Sequence, residues 1–589
     1  MTKSSMTSAA ARWPAQRAVA CAVCLVLSLV EFAPAASLLP SKTAGAGVTV
    51  KPGPSTIPCF DVYEIVLQFD SPPAQNPFTG IEVKAAFTPK GGTPVQVEGF
   101  CDDQTGRVFR VRFCPSLAAV EYGFSLTTNV TPGEEQGPRS AGSYTGSFQT
   151  TEPQGMEPVI VNPEHPKHFQ FAGSGRPFYH LGFTAYHLLD PSNTDEQIRD
   201  LLDYCVQHGF NKVRFLLTGY PRDTDTRSKE QYSLQGDPWK LPNYGAPPGE
   251  VNPLPAWLGN PHGYDFTRFN VAYWQKVDRA VQAMRQRGII ATCIVTIEKQ
   301  NLPQEYGALT EHEQRLYRYA VARLAAFSNV WWDLGNEHNE YRKQDWAPQI
   351  GRLVKQWDPY DRLCSAHGYA DWLYGNQPWA DLIITQQYGT CAEVNRWALK
   401  YRDIPKPYVN EEYGYEGILD KAGHGMNADL VRKCHWSIAM AGGYGSYGDW
   451  TPGSAFYTGH IGSGKAASQL RHLRQLFESL PFPSMRPQNE LVGSRDPAPR
   501  EPDAFCLAKP KEVYLVYLPN GGETVLHIEP VKKGYTITWI DPRTGEKTNS
   551  AAAPASAGAS LSPLSRGQGE IVLRAPSSND WTVITKVNQ

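Results

Sequence analysis

Eight strand-like runs separated by returning connections lie between Phe178 and Trp450, and they limit the fold more than any other feature of this 589-residue chain. In order they are "FYHLGFTAY", "FNKVRFLL", "GIIATCIVTI", "NVWWDLGNE", "RLCSAHG", "DLIITQQYG", "KPYVNEEYG" and "AGGYGSYGDW". Between them come helical patterns. "TDEQIRDLLDYCVQHG" places Ile198, Leu201, Leu202 and Cys205 on one face, with Thr194 and Gln197 as a capping box and Gly209 as the stop. Trp274, Val277, Val281 and Met284 mark a second helical face, and "EHEQRLYRYAVARLAAF" is a third helix. Alternating strands and helices imply a parallel sheet. Eight such units imply a (β/α)8 TIM barrel. The alternative is an open doubly wound sheet, which carries a Gly-rich phosphate loop after its first strand. Here that strand is followed by "TAYHLLDPSNTD".

The barrel does not account for the whole length, so flanking domains are expected. Residues 45–151 hold short β-branched and aromatic runs ("YEIVLQFD", "GIEVKAAFTP", "RVFRVRFCPS", "AAVEYGFSLTTNV"), the texture of an Ig-like sandwich. "TEPQG" reads as a linker, and 156–480 as the barrel domain. Residues 481–589 return to alternating strands with "NGG" and "DPRTG" turns, an all-β C-terminal domain. Residues 1–35 read as an export signal: Arg12 and Arg17 flank the apolar run Ala18 to Val30, and "APA" follows. A secreted or periplasmic protein follows, with no membrane in the mature form; a retained anchor is the alternative. Cys59, Cys101 and Cys114 cluster early, where an oxidising compartment suggests a disulfide, and the other cysteines read as small core residues.

With 56 basic and 58 acidic residues and no charge run, nothing points to nucleic acid or an anionic surface. Aromatic residues make up 11% of the chain, including 15 Trp and 29 Tyr. Flat faces with polar tips suit sugars, although large cores need them too. No His, Asp and Glu spacing suggests a metal, and no cofactor is expected. A serine hydrolase is disfavoured, because G-x-S-x-G is missing.

Barrel enzymes carry their chemistry at the C-terminal ends of strands. Glu298, Glu337, the pair Glu411 and Glu412, and Asp449 occupy such positions. Glu337 closes the fourth run and Glu412 the seventh. Two carboxylates across a barrel mouth are what glycoside hydrolysis needs, one to protonate the leaving oxygen and one to attack or to activate water. Adjacent strand residues point to opposite faces, so only one of Glu411 and Glu412 should face the mouth. The "E-Y-G" begun by Glu412 favours that residue, and Glu411 is then expected to pair with a helix charge behind the barrel.

"GNE" closing the fourth strand and "E-Y-G" closing the seventh resemble the retaining (β/α)8 glycoside hydrolase clan of cellulases, mannanases and β-galactosidases. The resemblance implies Glu337 as acid/base, Glu412 as nucleophile and Asn336 as the holder of a sugar hydroxyl. "FNKVRF" maps Arg214 onto a residue that supports the nucleophile. "QQY" maps Tyr388 onto a tyrosine that hydrogen-bonds it, and Gln386 stands where some members carry His. Trp450 matches a sugar platform. "YDFTRFN" and "KPYVNEEYGYEG" are similar to the apiosidase-like branch, whose members often carry an N-terminal sandwich. "WIDPRTGE" and "DWTVIT" resemble the C-terminal β-domain labelled collagen-binding in that branch, a label from which no collagen binding is inferred.

The expected activity is therefore hydrolysis of O-glycosidic bonds in a poly- or oligosaccharide, by a retaining double displacement. The rival reading is a non-catalytic carbohydrate-binding protein on a degenerate barrel. A third, a matrix-binding adhesion protein, rests on the C-terminal label alone. His187 and His338, together with Glu298 and Asp449, are further candidates for substrate contact, and His180 and His367 could also line the cleft. The Pro/Gly/Trp-rich insertion 218–270, with Trp239 and Trp257, either shapes the cleft or pads the barrel.

Overall fold

The computed structural model describes residues 47–130, 142–218, 255–260, 263–297, 309–340, 342–368, 374–417, 425–451, 453–455, 458–493, 503–528, 534–549 and 569–588. The expected export signal, Trp239 and Glu298 lie outside them. No helix among the described residues is long and apolar enough to cross a membrane.

All eight expected barrel strands form, and every pairing between them is parallel. They are Gly182–Thr184, Lys212–Leu216, Ile290–Ile297, Val330–Asn336, Cys364–Ser365, Ile383–Thr385, Tyr408–Asn410 and Tyr444–Trp450. Numbered in chain order, their sheet order is 5-4-3-2-1-8-7-6. Single hydrogen bonds close the seam between the fifth and sixth. Asp381 N–H donates to the Cys364 carbonyl at 2.8 Å, and the Asp381 carboxylate accepts from Cys364 N–H at 2.8 Å. Ser365 Oγ donates to the Leu382 carbonyl at 2.6 Å. The result is a nearly closed barrel of parallel strands and outer helices, an α/β TIM-barrel fold.

The helices form where apolar spacing and capping agree. Asp195–Gln207 starts at Thr194, whose side chain accepts from Gln197 N–H while Gln197 reaches back to the Thr194 backbone. Gly209 takes a φ of +81° just past its end, the left-handed step that glycine makes at little steric cost. Ile198, Leu201, Leu202 and Cys205 are buried as the periodicity requires.

The barrel floor is not visible as periodicity in the sequence. Three short antiparallel strands, Val159–Val161, Phe169–Phe171 and Pro177–Phe178, precede the first barrel strand. Phe169 is fully buried. Its ring centroid lies 5.0 Å from Trp331 and 5.3 Å from Tyr444, so this small sheet plugs the end of the barrel at which its strands begin. His180 lies flat against Trp331 in the same layer. It belongs to the barrel interior rather than to the cleft.

Two sheets precede the barrel. One contains Val48–Lys51, Tyr63–Phe69, Val108–Phe113 and Phe100–Cys101; the other contains Thr56–Pro58, Gly142–Thr151, Glu121–Val130, Ile81–Pro89 and Val95–Glu98. Their facing side chains share one aromatic core, with Tyr63 stacked on Phe148 at 3.9 Å and Phe87 on Phe113 at 4.2 Å. After the barrel, a six-stranded and a three-stranded antiparallel sheet form the C-terminal β-structure.

The early cysteines correct an expectation, since all nine described cysteines are free thiols. Cys59 donates to the Pro115 carbonyl at 3.4 Å and Cys101 to the Asp103 carbonyl at 3.2 Å. They are small buried groups with carbonyl partners. Trp257, from the insertion, is 1% exposed and meets Phe266 edge-on at 5.4 Å. It pads the barrel.

Candidate active site

The second strand supplies the organising charge. Lys212 and Arg214 are both 0% exposed, two residues apart and therefore on the same, inward face. Each meets a carboxylate from the end of the seventh strand. Arg214 Nη1 lies 3.0 Å from Glu412 Oε1. Lys212 Nζ holds both oxygens of Glu411, the second at 2.6 Å, and Ser446 Oγ donates to the same carboxylate. Glu411 thus pairs inside the barrel and not with a helix charge behind it. The alternation rule fails here because the strand ends at Asn410. Beyond it the chain bends, and both glutamates turn inward at different depths.

Their environments favour ionised carboxylates. Burial pushes Glu411 up, but Lys212, Arg214 and His180 outweigh it and bring the group to about 2. Burial also opposes ionisation of Glu412, and Arg214 is the foremost of the groups that hold it below the usual carboxylate range. Tyr186 O–H donates to Glu412 Oε1, and Tyr388 O–H donates to Oε2 at 3.4 Å. Burial, with Arg214 opposing and the charges of Glu412 and Glu337 adding, keeps the Tyr186 phenol well above its usual range. Burial, Glu412 and Glu337 do the same for Tyr388. Both phenols therefore keep the protons that they donate.

A continuous set of donors surrounds this carboxylate. Arg214 Nη2 lies 2.5 Å from His367 Nδ1. A guanidinium only donates, so Nδ1 accepts and the imidazole proton sits on Nε2. His367 Nε2 then donates to Gln386 Oε1 at 3.2 Å. The amide nitrogen of Gln386 donates to Tyr388 at 3.4 Å. Burial, reinforced by Arg214, drops His367 to about 3, so the ring is neutral at ordinary pH. Gln386 and Tyr388 thus reach Glu412 through a defined tautomer.

Asn336 is 2% exposed; its side-chain oxygen accepts from Arg214 and lies 3.3 Å from the Tyr186 hydroxyl, whose one proton goes to Glu412. Glu337, the next residue, is half-buried and has a φ of +48°. A positive φ is uncommon for a side-chain-bearing residue, and such strain collects at functional sites. The fourth strand ends at Asn336 and a short turn, His338–Glu340, begins two residues later. Glu337 is the pivot between them. Its carboxyl group lies near enough to bear on the same two phenols that donate to Glu412.

Two candidates are redirected by the structure. Both ring nitrogens of His338 are engaged, Nδ1 with the His367 carbonyl at 2.7 Å and Nε2 with Tyr374 O–H. The ring braces the turn after Glu337 instead of offering a nitrogen to substrate. Asp449 accepts from Thr451 N–H at 2.8 Å, from Thr451 Oγ1 at 2.6 Å and from Gly464 N–H at 3.1 Å. Its carboxylate is 2% exposed and shapes the loop after the eighth strand. His187 is buried in the turn after the first strand, where its carbonyl accepts from Asn193 at 3.0 Å. Trp450 is partly exposed at the end of the eighth strand and meets Tyr415 edge-on at 5.3 Å.

Tyr186 and Tyr415 are the residues that sequence reasoning missed. Tyr186 ends "FYHLGFTAY", and its ring lies 5.1 Å from the Arg214 guanidinium carbon. Tyr415 is buried three residues past Glu412 and is among the groups that favour its ionised form. The position of Tyr186 at the C-terminal end of the first strand is a signal that could have found it.

A parallel eight-stranded barrel with paired carboxylates and an arginine at its C-terminal rim has the architecture of TIM-barrel glycoside hydrolases. The family model for "Apiosidase-like, catalytic domain" matches residues 165–484, and the chain belongs to that family. A second model, a domain of unknown function (DUF5060), matches residues 56–127. Among solved structures, one from Bacteroides vulgatus, provisionally classed as a glycoside hydrolase, aligns with a TM-score of 0.69 at 22% identity, covering 91% of this chain and 100% of that chain. A family 5 glycoside hydrolase from the same organism aligns at 0.52 and 17% identity, covering 73% and 93%. These likenesses concern the fold. Among curated proteins, none matches the sequence significantly.

Proposed function

We propose that this protein is an exported glycosidase that hydrolyses O-glycosidic bonds in a poly- or oligosaccharide with retention of anomeric configuration. Glu412 is the nucleophile and Glu337 the acid/base. The observation that carries this reading is the ring of donors around Glu412, in which Arg214, Tyr186 and Tyr388 all address one buried carboxylate. An attacking carboxylate must be ionised, and each of these groups favours that state.

In the first step Glu412 attacks the anomeric carbon while Glu337 gives its proton to the leaving oxygen. The ester that forms removes the negative charge from Glu412. The pull of that charge on the Glu337 proton disappears with it, so Glu337 next acts as base and takes a proton from water. Water cleaves the ester, and a second inversion restores the starting configuration. Asn336 is held through its oxygen by Arg214 beside Glu337, a position suited to a sugar hydroxyl. Trp450, partly exposed on the rim, suits the apolar face of a sugar ring. No cofactor enters the scheme.

The test begins with a panel of plant and algal polysaccharides, including apiose-bearing glycosides because of the name of the family. On the best substrate, proton NMR follows the first-formed anomer. Retention supports the double displacement. Inversion would replace it with a single displacement, for which carboxyl groups about 6.5–9.5 Å apart rather than about 5–5.5 Å are typical.

A further inference from the structure

A third carboxyl group stands behind the two glutamates. Asp333 interrupts the apolar part of "NVWWDLGNE", four residues before Glu337. It is 0% exposed. Neither of its carboxylate oxygens has a hydrogen-bond partner among the described residues. It forms an ion pair with Arg214, Nε to Oδ2 at 3.6 Å, with both side chains fully buried. The other nitrogens of that guanidinium are occupied. Nη1 meets Tyr186 and Glu412, each at 3.0 Å, and Nη2 meets Asn336 and His367. Nε has no hydrogen-bond acceptor. A buried acid without hydrogen bonds is costly and calls for a role beyond packing.

We propose that Asp333 is a positioning residue for the hydrolysis, the charge partner that holds Arg214 once Glu412 has become an ester. This rests on the double displacement with Glu412 as nucleophile. When Glu412 attacks, its oxygen bonds to the anomeric carbon, the bond to the leaving oxygen breaks, and the proton of Glu337 goes to that oxygen. Arg214 thereby loses the anion 3.0 Å from Nη1. Lys212 cannot spare its own, since it keeps Glu411. Asp333 remains, on the opposite nitrogen of the same guanidinium. Burial pushes Asp333 up to about 6, with Arg214 opposing, so the group is ionised above that pH. The charge of Glu412 is among the groups that raise it, so esterification strengthens the ionised form.

The balance of buried charge gives the sign of the effect. With Asp333 ionised, the set Lys212, Arg214, Glu411, Glu412 and Asp333 carries one net negative charge in the free enzyme and none in the glycosyl-enzyme. With Asn at 333 the set is neutral in the free enzyme and positive in the glycosyl-enzyme. The carboxylate therefore favours formation of the ester over its hydrolysis. A role confined to packing has no such direction.

The experiment uses the full chain at about pH 7.5, where Asp333 is ionised. Its substrate is an aryl glycoside of the sugar that the polysaccharide panel identifies, with a leaving group good enough to make ester hydrolysis limit kcat. Then kcat/KM reports formation of the ester and kcat its hydrolysis. Asp333→Asn should lower kcat/KM by about 10-fold and leave kcat unchanged or higher, so that KM rises. Asp333→Leu, which removes the polar oxygens as well as the charge, should show the same split. Equal losses in kcat and kcat/KM in both variants, or no change in either, would overturn the assignment. The 2-deoxy-2-fluoro analogue of the substrate, read by intact mass and peptide mapping, tests the reading beneath it. An adduct on Glu412 of the parent chain supports the double displacement whatever the variants do. Its absence would overturn that mechanism and the role of Asp333 together.

Discussion

Arg214 and Lys212 show how two residues on one strand can serve opposite ends. Each is buried, and each meets a glutamate from the seventh strand. Glu411 is enclosed by Lys212 and Ser446, which makes it part of the scaffold. Glu411→Gln leaves the Lys212 ammonium without its charge partner and should cost about 3–5 kcal/mol, read as a lower urea midpoint. A carboxylate held near 2 lies below its unfolded value. Its stabilisation is therefore complete above about pH 4.3 and disappears as pH falls toward 2. Acid unfolding of Glu411→Gln should show a weaker pH dependence in that window than the parent chain. Tyr186→Phe tests the other carboxylate. Removing a donor raises the Glu412 value, so the acid limb of the kcat/KM profile should move to higher pH, with a rate loss of about 10- to 100-fold at neutral pH. An unmoved acid limb would show that Tyr186 does not tune the nucleophile.

The elements of the barrel differ in how clearly their residues announce them. "NVWWDLGNE" and "GIIATCIVTI" are long apolar runs, and each becomes a strand at the place expected. The floor sheet has strands of only two or three residues, too short for a period to emerge. Its role comes from Phe169 meeting Trp331 and Tyr444, contacts between residues far apart in sequence. Glu337 and Glu412 stand out in the sequence because each closes an apolar run, the place where barrel enzymes carry their chemistry. Glu411 was misdirected because alternation applies only while the strand lasts. Asp449 sits at a strand end like Glu412, yet backbone donors from a later loop occupy it. Such donors leave no pattern in sequence. Phe169→Ala should cost about 3–5 kcal/mol through the cavity left under the barrel, measured by thermal melting. A loss under 1 kcal/mol would mean that the floor sheet does not support the barrel.

Across the whole molecule, buried ion pairs fasten the flanking sheets to the barrel. Arg323, on a barrel helix, lies 2.7 Å from both Asp102, just past the Phe100–Cys101 strand, and Asp278 of a neighbouring helix. Arg112 joins the same cluster at 2.8 Å from Asp278. On the other side Arg432 holds Asp580 of the C-terminal sheets at 2.6 Å, with both side chains buried, and Tyr517 donates to the same carboxylate at 3.1 Å. Such fastenings predict that the C-terminal sheets melt together with the barrel. Asp580→Asn, which leaves Arg432 without its charge partner, should lower the melting temperature and separate a C-terminal transition in calorimetry. A single unshifted transition would deny the pair that role. The account as a whole rests on one carboxylate, and the most direct measurement is kcat/KM of Glu412→Ala on the best substrate from the panel. The account predicts a loss of about 10⁴-fold or more, the scale of removing a catalytic nucleophile. Activity equal to that of the parent chain would contradict it.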